Sequence, residues 1–178
     1  MMFGFGKKKS AGGGDGISWP AEPTLDDLIA LGAYRRLSGD DVAAIADDVA
    51  AAFPEFGGRI KIFGADWLGR VFATDSARNG EVLLLEPGTA EALEIPVDLT
   101  EFEASELVDN PDAALAWGFY QSWRDAGGAA PGPSQCIGYR KPLFLGGADT
   151  LDNLELSDLE VYWSVTARII AQLRAQAS

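Results

Sequence analysis

The chain has 178 residues, 47% of them apolar, which is enough for one ordinary core or two small lobes sharing an interface. A formal net charge of −13 makes its field repel phosphate backbones and anionic lipid and attract basic partners, although many acidic proteins carry such charge only for solubility. The single cysteine, Cys136, excludes an intrachain disulfide, and the lack of histidine removes the usual neutral-pH base, the Ser-His and Cys-His pairs and the commonest transition-metal ligand.

The first sixteen residues, MMFGFGKKKSAGGGDG, carry three lysines and six glycines but lack the apolar stretch of a secretory signal, and read as a flexible tail. No later run approaches the roughly 20 apolar residues of a membrane span, so a cytoplasmic, non-membrane protein is expected. A short opening helix is predicted over Pro20 to Leu31, with Thr24 as its cap. A clearer one starts after Ser38: Asp40 and Asp41 occupy its first turn, Val42, Ile45, Val49 and Phe53 follow at helical spacing, and Pro54 stops it.

From Gly58 to Val97 the texture turns to strand. Ile60 and Ile62 alternate with Arg59 and Lys61, and Trp67 to Ala73 and Glu81 to Leu85 are two further apolar runs. Pro87-Gly88 suits a turn that folds Val82–Leu85 back beside Ala92–Val97, so an antiparallel meander is predicted. Thr100 with Glu103 has the form of a capping box, and Asn110-Pro111 that of a second helix start. The helix that follows presents Leu115, Trp117, Phe119, Tyr120 and Trp123, a density that reads as core.

Gly127 to Ser134 is linker-like, and divides a unit over 17–126 from a C-terminal piece over 127–178 too small to fold alone, which must pack on the first. In that piece Ile137 to Leu145 reads as an edge or interrupted strand because of Pro142. Ser157 and Glu160 then suit the cap of a last helix whose stripe is Leu159, Tyr162, Trp163, Thr166, Ile170 and Leu173. The fold class expected is α+β: an antiparallel sheet flanked by helices, with a C-terminal strand-loop-helix packed on it.

Carboxylates are the one plentiful reactive group. Asp66, Glu81, Asp149, Asp152 and Glu155 are candidates for an acid and base pair, yet with 27 acidic residues chance pairs are guaranteed and no pair stands out. Gly146-Gly147 lacks the lysine and hydroxyl of a phosphate loop, and Asp149, Asp152 and Asn153 lack the alternating spacing of a calcium loop, so no metal and no cofactor are expected.

The order Cys136-Ile137-Gly138-Tyr139, Pro142-Leu143-Phe144-Leu145-Gly146-Gly147, Asp149, Leu151, Asn153-Leu154-Glu155, Asp158 and the helix through Gln172-Leu173 resembles the C-terminal domain of type VI secretion immunity proteins. The stretch from Ala43 to Trp123, with FGADWLGRVFA at Phe63 to Ala73 and EVLLLEPGT at Glu81 to Thr89, is similar to the GAD-like N-terminal half of that family. The resemblance implies a cytoplasmic inhibitor, not an enzyme, that binds and neutralises a secreted toxin, by its chemistry a basic DNase, with no nucleic acid or membrane contact of its own. Tyr162-Trp163 departs from the acidic or histidine-bearing position expected near the final helix, and residues 1–37 have no counterpart.

Candidate binding residues are Asp149, Asp152, Asn153 and Glu155 in the Gly146–Glu155 loop, whose competing reading is a structural turn feeding the last helix. Trp67 and Arg70 are second candidates as interface anchors, and a Trp between two strands is more often simply core. An interaction adaptor of the same fold without a toxin, and a carboxylate hydrolase, are the competing functions.

Overall fold

A computed structural model describes residues 16–177, so the tail expected over 1–16 lies, Gly16 apart, outside the described residues. Helix α1 (Leu25–Ala30) opens the fold and β1 (Tyr34–Arg36) follows it. The long helix α2 (Gly39–Ala52) comes next, and then the strands β2 (Ile60–Asp66), β3 (Val71–Asp75), β4 (Glu81–Glu86) and β5 (Glu91–Asp98). All five strands pair antiparallel in the order β1-β2-β3-β4-β5, a plain meander, so the fold is α+β as expected.

Thr24 and Ser38 cap α1 and α2 with reciprocal boxes, each hydroxyl accepting from the amide of an aspartate three residues on while that aspartate takes the cap amide. Residues 20–24 stay outside the first helix, which is shorter than its predicted span. Strand alternation sets the layers. Phe72, Val82 and Leu84 face one core, and Val71, Leu83 and Leu85 the other. The first core is roofed by five short helical pieces: α3 (Leu99–Glu101), a π-turn (Phe102–Glu106), α4 (Leu107–Asp109), α5 (Pro111–Leu115) and α6 (Trp117–Asp125). Phe102, Leu107, Leu115, Trp117 and Tyr120 fill it.

The second core lies under α2 and the terminal helix α7 (Leu159–Ala177), where Ile45, Val49 and Phe53 meet Tyr162, Trp163 and Ile170. A two-stranded antiparallel sheet, β6 (Gln135–Tyr139) with β7 (Leu154–Asp158), closes the end of the meander where its β2–β3 and β4–β5 turns lie. Its fit is direct: the Ile137 amide donates to Trp67 O at 2.6 Å and the Leu143 amide to Gly88 O at 2.9 Å. Adjacent residues of β6 enter different cores, Cys136 the second and Ile137 the first, so the small sheet locks the two together.

Several local expectations are corrected. Trp67 to Arg70 is a turn, and the strand begins at Val71, because Asp66 Oδ1 accepts the amides of Leu68 and Arg70 and holds the chain in a tight loop. The helix cap near Thr100 is Asp98, which accepts the Glu101 amide, while Glu103 turns away to Arg36 and Tyr34. The aromatic helix is broken at Ala116 (φ 50), with Asp112 Oδ1 capping the restart through the Gly118 amide at 2.7 Å. The last helix is capped by Asp158, not Ser157. The strand from Ile137 stops at Tyr139, and β1 and β7 were not predicted at all.

The Asp66–Arg70 turn is the joint of the molecule. Asp66 is 1% exposed and Arg70 is 7% exposed. Their ion pair is 2.6 Å long, and Arg70 Nη2 also donates to Ala114 O on α5 at 3.1 Å. Burial pushes the Asp66 carboxyl upward, and Arg70 with the two turn amides opposes it. The indole of Trp67 donates to Leu115 O at 2.7 Å, and that of Trp163 to Gly69 O at 2.9 Å. Gly69 sits at φ +75 in a space so close that a Cβ would stand 2.9 Å from Cys136 Sγ.

Replacing Asp66 by Ala strands the Arg70 guanidinium in a dry site, and should cost about 3–5 kcal/mol in urea unfolding. The fold also responds to base. Burial pushes the Cys136 thiol up from its ordinary 9.0 to about 12 and raises the Tyr34, Tyr139 and Tyr162 phenols. These neutral forms are favoured by folding, so stability is fully present below pH 9 and falls as the unfolded chain's thiol and phenols ionise above it. Urea midpoints measured from pH 7 to pH 11 should fall steadily above pH 9, and iodoacetamide should reach Cys136 only after unfolding.

Candidate functional site

The loop between the two strands of the small sheet holds most of the predicted binding residues, and its backbone is fixed by one side chain. Asn153 Oδ1 accepts the Lys141 amide at 3.0 Å, and its Nδ2 donates to Lys141 O at 2.8 Å and to Ala148 O at 2.9 Å. Asn153 is therefore the clamp of this loop. Gly147 passes so close to Lys141 O that a Cβ would lie 1.9 Å from it, which makes glycine obligatory there.

On this frame stand three exposed acids. Asp149 accepts the Tyr139 hydroxyl at 2.7 Å, which orients it at the loop's outer surface. Asp152 is exposed in the short helical turn Leu151–Asn153. Glu155 is 3.5 Å from Arg140, an ion pair open to solvent at both ends and worth little to stability. The loop is thus a fixed support for outward-pointing negative charge.

Trp67 and Arg70 do not belong to that surface. Trp67 is wholly buried against Phe119 and Tyr120, and Arg70 is spent on Asp66 and Ala114, so both are structural. The five carboxylates weighed as an acid and base pair are likewise dispersed. Asp66 is in the core, Glu81 pairs with Arg78 at 2.7 Å on the meander, and the other three lie along the C-terminal loop and β7. Among the described residues no group of three or more Cys, Asp or Glu is placed to hold a metal.

A second feature escaped sequence reasoning. Strand β1 is three residues long and pairs with β2 only from Gly64 to Asp66, with one more bond from the Leu37 amide to Phe63 O at 2.9 Å. The chain then turns into α2 and leaves the first half of β2 without an outer neighbour. Beside that bare edge lies a half-open groove of about 650 Å³, lined by Val42, Ala46 and Val49 of α2, by Phe53 and Phe56 just after it, and by Ile60 and Ile62 of β2. Ile60 and Ile62 alternate in the sequence as core-facing positions do. What was not visible is that β1 ends before covering them.

No family model and no curated protein matches this chain. Among solved structures it resembles the crystal structure of Atu4351 from Agrobacterium tumefaciens, with a TM-score of 0.51 and 15% identity over 78% of this chain and 67% of that one. At that identity the likeness concerns the fold alone. No helix among the described residues is long and apolar enough to cross a membrane.

Changing Asn153 to Ala removes at once the three hydrogen bonds that tie it to Lys141 and Ala148. The expected result is a loss of about 1–3 kcal/mol and faster amide exchange confined to residues 146–155, read by urea unfolding and by mass-resolved deuterium uptake.

Proposed function

We propose that this chain is an immunity-type inhibitor that binds a basic, nuclease-type toxin in the cytoplasm and neutralises it by occupying its surface. The observation that carries this reading is the clamped Gly146–Glu155 loop, in which Asn153 fixes the backbone while Asp149, Asp152 and Glu155 face solvent. A nuclease is basic where it holds DNA, so a protein of net charge −13 is drawn toward it over distance. Rigid acids at the contact then cost little conformational entropy on binding.

The order and spacing of Cys136 to Leu173, which resemble the immunity family, support the same reading. The separation of Asp66 and Glu81 from the loop acids leaves binding better supported than hydrolysis.

The decisive experiment is co-expression. The product of the open reading frame beside this chain's gene should arrest growth alone, grow normally with this chain present, and co-purify with it. Association should slow several-fold between low and physiological salt, with dissociation little changed, because solvent-exposed charges act on encounter more than on the closed complex. A neighbour that neither arrests growth nor binds removes the proposal.

A further inference from the structure

The bare half of β2 has a defined hydrogen-bonding polarity. The Ser76 amide donates to Arg59 O at 3.0 Å across β2 and β3. Ile60 faces Asp75, Lys61 faces Thr74 and Ile62 faces Ala73. In an antiparallel ladder, bonding through Arg59 makes Ile60 and Ile62 the non-bonded positions toward β3, so their N–H and C=O groups point the other way. A register shift between Ile62 and Gly64 then carries Phe63 O outward as well, where the Leu37 amide takes it. Among the described residues no hydrogen bond reaches the outward groups of Ile60 and Ile62. They line the groove together with the apolar face of α2.

Natural sheet edges are normally blunted by proline, by inward charge or by a covering element. The β5 edge carries Pro96 and exposed Glu91 and Glu94. The β2 edge has a single exposed charge, Lys61 between Ile60 and Ile62, with no proline and no covering element there, and an open apolar trough runs along it.

We infer that this edge is the seat for an extended segment of the basic partner, which adds a strand beside Ile60–Ile62 in line with β1 and sets alternate apolar side chains into the groove against Val42, Val49 and Phe53. This rests on the inhibitor reading above, and names where the partner docks.

The mode follows from two complementary needs met side by side: unpaired main-chain donors and acceptors give affinity, and an adjoining trough reads every second side chain. Charge selects the occupant. Arg36 at the end of the groove is neutralised by Glu103 at 2.6 Å, and Asp47, three residues before groove-lining Ala50, is exposed on α2. Lys61 is the remaining charge in the lining, so the groove itself takes an apolar stretch, and the net charge of −13 over the whole molecule is what draws a basic partner toward it. A second copy of this chain would bring another charge of −13 to the same edge, which opposes self-pairing.

The test uses the full chain and the toxin encoded beside it, with binding measured by titration calorimetry. Two groove variants are made. Ile62→Pro deletes an amide that bonds to nothing in β3 and is compatible with an edge position. Ala50→Arg adds charge and bulk at an exposed position on the groove wall, where the core is untouched. Asp152→Lys on the C-terminal loop is the comparison, and thermal melting confirms that each variant is folded.

The expected result is an affinity loss of tenfold or more for both groove variants and a smaller loss for Asp152→Lys. In the complex, amide exchange followed by NMR should slow at least tenfold at Ile60 and Ile62, which are unprotected in the free chain. If the toxin binds the groove variants within twofold of the parent, or the protection appears elsewhere, the docking site is overturned while the inhibitor reading stands. If the parent chain fails to bind the toxin, both fall. A dimer of the parent chain in sedimentation, dissolved by the groove variants, makes a second copy the occupant and overturns the proposal.

Discussion

The fold depends on a buried carboxylate that organises its own turn. Asp66 accepts two amides and a guanidinium within five residues, and every layer of the protein then attaches to what it holds. Arg70 reaches α5, the Trp67 indole reaches the same helix, the Trp67 carbonyl receives β6, and the Gly69 carbonyl receives α7. Taking such a pair out of water is expensive, and it is stable here because each donor and acceptor finds a partner. By fixing the turn, the ion pair sets the positions of the groups that hold three elements, α5, β6 and α7.

This explains which parts of the structure were legible in the residues. The meander, the two early helices and the amphipathic last helix were, because alternation, a cap residue such as Thr24 and helical spacing are local signals. Long-range use of a side chain was not. Asp98 and Asp158 take the caps in place of Thr100 and Ser157 because they are the last residues of β5 and β7, the points at which the chain turns into α3 and α7. Trp67 and Arg70 look like interface anchors by type, yet the tertiary fold consumes both, as Leu115 and Ala114 on α5 accept their donors. The three-residue β1 was too short for any periodicity to show, and the groove follows entirely from where that strand stops.

Two surfaces of different character thus sit on one rigid body. The Gly146–Glu155 loop is polar, acidic and held by Asn153, while the trough between α2 and β2 is apolar and bordered by unused backbone groups. In the proposed function the first guides an oppositely charged molecule inward and the second retains it. The four tyrosines and the lone thiol stand largely within the protein, so the chemistry of the surface is almost wholly that of its carboxylates and few cations.

The bond from the Trp163 indole to the Gly69 carbonyl spans 94 residues and has a consequence for biosynthesis. During translation the meander leaves the ribosome well before Cys136, Tyr162 and Trp163, the groups that pack over the Gly69 turn. Until they arrive, the sheet face of the second core near that turn lies open to solvent and to chaperones, so closing that core waits for the last part of the chain. A message truncated even a few dozen codons early would thus yield a sticky, protease-sensitive polypeptide instead of a weaker version of the same protein.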